Sequence, residues 1–598
     1  MRQVASVILT AFLTTGLAVA QGAGAGKAGT RAAKHATPSA DVSAQLSQMQ
    51  RSLDTQQQQI QNLMQQLQSR DQQIQQLQQQ MGQVQNAASQ AQQKADMAAA
   101  QSNQSQVTAL SNDVTDLKAT VTNTAQALQE TQKSVSDLDS PLALHLKGIT
   151  ITPGGFLAAE TVWRQHAMGS DINTPFNAIP FDGASQSHMS EFFGSGRQSR
   201  ASLLAEGKLG KAKIGGYYEA DFLTTGITSN NNQSNSYGLR QRQVWGQAVL
   251  SSGWSFTGGQ MWSLVTETKN GVDNRTEAPP QTIDPAYNVG FSWARQYGFR
   301  VARNFNNKMW LAFSVENAQT TVGGHGSSTD FLLGQQGASG GLYNPTANYS
   351  YNAMPDLIGK LVYQPKNIHF EVFGVISRFR DRIFPLGAAA TPSAVGAYND
   401  SSMGGGAGAN IRVSTFNKHI DFGLHFLGGE GVGRYGASSL SDVTVRPDGI
   451  LTPLRSYQSL ATVETHGKKL DLYFNVGGEF AGRNAFVNGT KGVGYGSQLA
   501  DNSGCGIETP PGGTVGAAGT PLTNGFNPGG LSGCNGDTRV IIEGTFGFWY
   551  RFYKGPKGTV QWGPQYSYLT RNTWTDKAGL SPNATENMVL TSFRYYLP

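Results

Sequence analysis

Long apolar runs are missing from this chain. Beyond the first twenty residues no stretch of about twenty consecutive apolar residues occurs, which excludes a membrane protein built from spanning helices. Cysteine is nearly absent: 598 residues contain only Cys505 and Cys534, and two thiols without flanking histidines make no metal site. The nine histidines show no ligand spacing. Neither a nucleophile elbow nor a phosphate-binding glycine loop is present, so the reading is a protein that is not an enzyme and has no cofactor and no metal. The Ser/His pairs His188 with Ser190 and His466 with Ser459 stand at chance level for a rim hydrolase. No Lys/Arg cluster is interleaved with aromatics, which argues against nucleic acid. The apolar fraction, 38%, is low for an enzyme of this length.

What the chain has instead is alternation. In Gly467 to Gly482 the residues Leu470, Leu472, Phe474, Val476 and Phe480 fall on one face at period two, and Asp471, Tyr473, Asn475 and Glu479 on the other. One such strand would suit a soluble sandwich equally well. The pattern recurs, however, in about sixteen segments from Gly148 to Leu597. Their links alternate between short turns (Gly210-Lys211, Ser251-Ser252, Phe305-Asn306, Pro365-Lys366, Phe416-Asn417, Gly555-Pro556-Lys557) and long insertions (His166 to Gln198, Val265 to Ser292, Thr321 to Met354, Arg483 to Thr538). This asymmetry predicts an all-β transmembrane barrel of about 16 antiparallel strands, porin-like, with the turns periplasmic and the loops outside.

The N-terminal part has other rules. Residues 1–20, basic at Arg2, apolar from Val4 to Leu17 and ending Ala18-Val19-Ala20, suit a secretory signal peptide. Residues 21–40 suit a flexible tether. Within 41–140 a heptad seam runs through Leu46, Met49, Leu53, Ile60, Leu63, Leu67, Ile74, Leu77, Met81 and Val84, and a second register through Val107, Leu110, Val114, Leu117, Val121, Leu128, Val135 and Leu138. This predicts an α-helical coiled coil preceding the barrel, with self-association. The seam does not choose between two strands and three. Both barrel ends being periplasmic, the coiled coil projects into the periplasm, and residues 141–598 form the barrel domain. The two cysteines, in an exported chain, are expected to form a disulfide that closes a long loop.

With the apolar face outward, the opposite phase lines the lumen. It places Arg200, Arg240, Arg242, Arg300, Lys360, Arg412, Arg539 and Arg551 inside, against Glu160, Glu206, Glu219, Asp221, Glu371, Asp421, Asp471, Glu479 and Glu543. Guanidiniums spaced along a pore attract small anions and hand them on; equally, charges of both signs can pair across the lumen and stiffen the wall. Arg240 and Arg242, two apart on one strand, are the best candidates for a basic ladder. Arg378 and Arg380 share the phase of lipid-facing Phe370 and Val372, which puts them beyond the membrane rim. The third long loop, with Glu267, Asp273, Asn274, Arg275, Glu277 and Asp284, is either a constriction folded into the barrel or a surface loop.

This layout, with a barrel opening Leu146-Lys147-Gly148-Ile149-Thr150-Ile151-Thr152-Pro153-Gly154-Gly155-Phe156, resembles the DcaP-like trimeric outer-membrane porins. The resemblance implies a homotrimer in outer-membrane lipid and lipopolysaccharide of a Gram-negative-type bacterium, passing small anionic solutes, dicarboxylates among them. The phosphate-selective porins are similar in strand number and basic lining. A structural tether or adhesin with a plugged barrel is the alternative from another class.

Overall fold

A computed structural model describes residues 143–224, 238–325, 331–332, 350–387, 389–508 and 533–598, with a few isolated helical positions between 79 and 93. The chain divides into two units, Met1–Asp139 and Ser140–Pro598. The signal peptide, the tether and every residue of the heptad seam named above lie outside the described residues.

Sixteen strands make the wall. They are β1 (Ile149–Arg164), β2 (Glu191–Ser195 continued by Arg200–Leu209), β3 (Ala212–Asp221), β4 (Arg240–Leu250), β5 (Trp254–Trp262), β6 (Arg295–Phe305), β7 (Met309–Glu316) and β8 (Asp356–Tyr363). The second half is β9 (Ile368–Ile383), β10 (Tyr398–Thr415), β11 (Ile420–Glu430), β12 (Arg455–Thr465), β13 (Leu470–Ala481), β14 (Thr538–Gly555), β15 (Gly558–Thr573) and β16 (Asn583–Tyr596). Each pairs antiparallel with its sequence neighbours, and β16 returns to β1 in the register Phe156↔Tyr596 to Arg164↔Met588. Closure leaves no strand edge, so the backbone N–H and C=O groups of the wall are paired without water, the condition for crossing lipid.

Period-two alternation decides which way each side chain faces. Along β13, Leu470, Leu472, Phe474 and Val476 are exposed at 38–50%, while Asp471, Tyr473, Asn475 and Glu479 between them are buried. The other strands also expose Leu, Phe, Val, Ile, Tyr and Trp side chains outward, a belt that lipid would cover. Asn306, Asn307 and Asn417 take left-handed φ in the short turns, as does Phe416; Asn meets this demand at low cost.

Candidate functional site: the lumen and its inward loop

Residues 263–294, between β5 and β6, carry Leu264, Val265, Val272, Ala278, Ile283, Ala286, Val289 and Phe291, all buried. So apolar a segment gains more inside the barrel than above it, and the third long loop is the inward one. Its backbone amides, cut off from water there, need acceptors. The wall supplies carboxylates and an amide. Thr268 N donates to Glu371 Oε1 at 3.0 Å, Gln281 N to Glu464 Oε1 at 2.7 Å, Ile283 N to Gln565 Oε1 at 2.6 Å, Val289 N to Glu543 Oε2 at 2.8 Å and Gly290 N to Glu479 Oε1 at 2.8 Å. Glycine allows the approach: a Cβ on Gly477 of β13 would collide with Val289 O. The loop is thus fastened to β9 and to β12 through β15. On that side the inward residues Glu371, Thr462, Asn475, Glu479, Glu543, Thr545, Gln565 and Ser567 are at most 2% exposed.

Two predicted pore cations serve this fastening instead of lining a passage. Lys360 of β8 donates to Thr266 O at 2.8 Å and to Glu371 Oε2 at 2.7 Å. Arg412 of β10 holds Glu267 of the loop by two bonds of 3.0 Å and reaches Glu464 at 3.2 Å. Burial alone would raise the Glu267 carboxyl, but the Arg412 guanidinium outweighs it and holds the group below its usual range. Arg300 is also buried, with Nη1 on Asn274 Oδ1 at 2.8 Å and Nη2 on Trp262 O at 2.6 Å.

The wall of β2 to β6 differs. Arg200 and Arg240 face inward yet keep 25% and 34% side-chain exposure, so solvent reaches the lumen here. Arg240 grips Asp221 by two bonds of 2.9 and 2.8 Å. Arg242, 2% exposed, lies between Glu219 at 2.6 Å and Asp221 at 2.7 Å. A register shift against Glu219 and Ala220 inserts Arg242 as an extra residue of β4, a bulge of the kind that re-aims side chains. Arg200 stands 3.5 Å from Glu219. A fourth guanidinium, Arg295 at the start of β6, lies over the rings of Trp262 and Trp293 at 5.2 and 5.1 Å, within electrostatic reach of Arg242, Arg240 and Arg200. Its Nη1 is buried without a hydrogen-bond partner among the described residues. Among the described residues the carboxylates paired with Arg200, Arg240, Arg242 and Arg295 are Glu219 and Asp221, a local excess of two positive charges. Alternation hides Arg295, because it shares the odd phase of outward Tyr297 and Phe299.

From the loop, Tyr287 Oη faces Arg242 Nη2 at 3.5 Å and Arg275 lies over the Tyr217 ring at 5.0 Å. Loss of hydration lifts the carboxyls of Glu277 and Asp284 to about 7 and about 6, while Asp273 is exposed and accepts from Asn270 Nδ2 at 2.8 Å. The remaining predicted residues are elsewhere. Arg539 is the bulged residue between Thr538 and Val540, so it leaves the lumen phase and is exposed at the outer end of β14, 5.8 Å from the Trp574 ring. Arg551 pairs with Asp471 at the turn end of β14. Ser459 is exposed on the lipid face of β12, whereas His466 lies in the turn beyond its end on Asp421 at 2.9 Å, so that pair never meets. His188 is engaged by Asp182 O at 2.9 Å and Glu508 at 3.4 Å. Cys505 and Cys534 are disulfide-bonded with Cα atoms 4.7 Å apart. Sequence reasoning missed Arg434, which bridges Asp356 and Asp442, and Arg594, which holds Glu160 at 2.8 Å.

No family model and no curated protein matches this chain. Among solved structures, the outer membrane channel DcaP of Acinetobacter baumannii is similar at 14% identity and a TM-score of 0.49, over 76% of this chain and 99% of that one. OmpT of Vibrio cholerae is similar at 10% and 0.38, over 76% and 99%, and OmpF of Salmonella typhi at 9% and 0.38, over 76% and 100%. The barrel described above rests on its own strand pairing.

Proposed function

We propose that this chain is an outer-membrane porin for passive diffusion of small hydrophilic anions, dicarboxylates among them. The observation that carries this reading is the solvent-reached wall of β2 to β6, where Arg200, Arg240, Arg242 and Arg295 outnumber Glu219 and Asp221. Planar guanidiniums take carboxylate and phosphate alike, so a phosphate-preferring channel is the nearest variant. In this reading residues 1–20 export the chain, 41–140 form a periplasmic coiled coil, and the assembly is a homotrimer in lipid and lipopolysaccharide.

The loop's attachment to five strands favours a second reading, a plugged barrel serving as anchor. Single-channel recording of the purified protein in planar bilayers separates the two. Anion-preferring current closing in three equal steps supports the porin trimer; silent bilayers containing folded barrels refute the channel, and cation preference refutes the anion assignment. Succinate and phosphate added in turn as blockers rank the two solute classes.

A further inference from the structure

The outward face of β9 changes character along its length. After the short turn at 364–367 it presents Ile368, Phe370, Val372, Gly374 and Ile376, and then Arg378, Arg380 and Arg382. From Ile368 to Ile376 the chain climbs about 27 Å along the strand, or about 21 Å across a bilayer at ordinary barrel tilt, close to the roughly 25 Å apolar band of outer-membrane barrels. The three arginines follow within about the next 16 Å across the bilayer, the level of lipid head groups. The pleat also sorts charge by side. Asp381, between Arg380 and Arg382, faces inward at 2% exposure opposite Asp400 on β10, while the three cations face out.

Among the described residues none of the three forms an ion pair with a carboxylate. They are held by neutral groups: Arg378 Nε and Nη2 on Ser401 Oγ at 3.2 and 2.8 Å, Arg380 Nε on Ser350 O at 3.1 Å, and Arg382 Nη1 on Asn399 Oδ1 at 2.9 Å. A guanidinium has five N–H donors, so each is oriented by one or two contacts and retains donors for an anion. Beside them Tyr398 and Met403 of β10 are exposed at 43% and 59%, apolar surface for a chain lying against the wall.

We infer that Arg378, Arg380 and Arg382 form a binding site for the phosphate-bearing head of an outer-leaflet glycolipid of the lipopolysaccharide class, whose acyl chains lie on the apolar lower face of β9. Apolar rungs below and unneutralised guanidiniums above match one amphiphile with phosphate at its head and hydrocarbon beneath. The site rests on the outer-membrane reading, since the long-loop end of β9 then meets the outer leaflet. It does not depend on whether the lumen conducts.

The test is binding of lipid A to the full-length protein in a non-ionic detergent, with dephosphorylated lipid A and phosphatidylglycerol as comparisons, for the native chain and for Arg378→Gln/Arg380→Gln/Arg382→Gln. The expected result is a dissociation constant for lipid A at least about tenfold weaker in the triple variant, and weak, unchanged binding of dephosphorylated lipid A. Unheated gel migration checks that the variant barrel is folded. Equal affinity of native and variant chains for lipid A overturns the site. So does native binding of phosphatidylglycerol or dephosphorylated lipid A as tight as that of lipid A, a comparison that needs no variant. Bilayer conductance of the triple variant should match the native chain, so failure of the lipid site is distinguishable from failure of the channel reading.

Discussion

Replacing Arg200 and Arg295 by Gln removes the two positive charges by which the open wall exceeds neutrality, leaving Arg240 and Arg242 balanced by Glu219 and Asp221. These two are better targets than Arg242. Taking Arg242 away would leave Glu219, at 7% side-chain exposure, with Arg200 at 3.5 Å and the Tyr217 hydroxyl at 3.0 Å, and Asp221 with Arg240 as its remaining cation, a loss of up to roughly 3–5 kcal/mol that confuses selectivity with folding. Arg200 comes no nearer than 3.5 Å to Glu219, and Arg295 forms no ion pair among the described residues. A monoanion passing about 6 Å from a unit charge in a water-filled lumen gains about 0.7 kcal/mol, hence about 1.4 kcal/mol from two. Screening at about 0.1 M salt reduces this by roughly half, a factor of about 3 in anion concentration and the reciprocal for cations, or about tenfold in their ratio. In a tenfold salt gradient such a ratio moves the zero-current voltage by roughly 40 mV of the approximately 59 mV Nernst limit. The double variant should lose most of that. A voltage unchanged within a few millivolts, in channels of native conductance, would refute the assignment of the excess charge to this wall.

Two further outcomes follow from the same geometry. The Glu277 carboxyl, lifted to about 7 by loss of hydration, adds a negative charge to the passage as pH rises through neutrality, so anion preference should fall between pH 6 and pH 8; Glu277→Gln should flatten this part of the profile, and an unaltered slope would remove Glu277 from the passage. Lys360→Met leaves Glu371 buried with Asn410 and His369 but without its ammonium. This should cost roughly 3–5 kcal/mol, read as a lower temperature of heat modification on gels, and a variant as heat-resistant as the native chain would show that the pair is not holding loop and wall together.

The wall was legible in the sequence because lipid outside and polar lumen inside impose one rule on every successive residue. Leu470 to Phe480 obeys it, and so do the strands on either side. β9 continues past its apolar rungs to Ile383, with Arg378, Arg380 and Arg382 carrying on the outward phase as charge. The inward loop was legible only as one of two possibilities, and the partners of lumen charges not at all. Arg412 and Glu267 are 145 residues apart in sequence, and nothing local to either announces the other. Arg539 shows a different limit: one inserted residue at a bulge reverses its direction without changing the residues around it. Cys505 and Cys534 were easy by comparison, since two cysteines in the chain allow one pairing.

The position of the loop and the charge of the opposite wall have one cause. A lumen lined by both signs of charge tends towards neutrality by pairing across it. Here the acids of β9, β12, β13 and β14, namely Glu371, Glu464, Glu479 and Glu543, accept hydrogen bonds from loop amides, so they are covered and fixed on their own side. Arg412 and Lys360 stay with them because Glu267, Glu371 and Thr266 O hold them there. The acids fastened to the loop do not cross to Arg200 and Arg295; Arg200 has Glu219 at 3.5 Å, and the surplus guanidinium charge of that cluster remains for a solute to meet. On this argument the surplus is a consequence of how the loop is anchored: weakening the anchors at Glu479 and Glu543 would change selectivity as well as loop mobility, although neither residue lines the β2 to β6 wall.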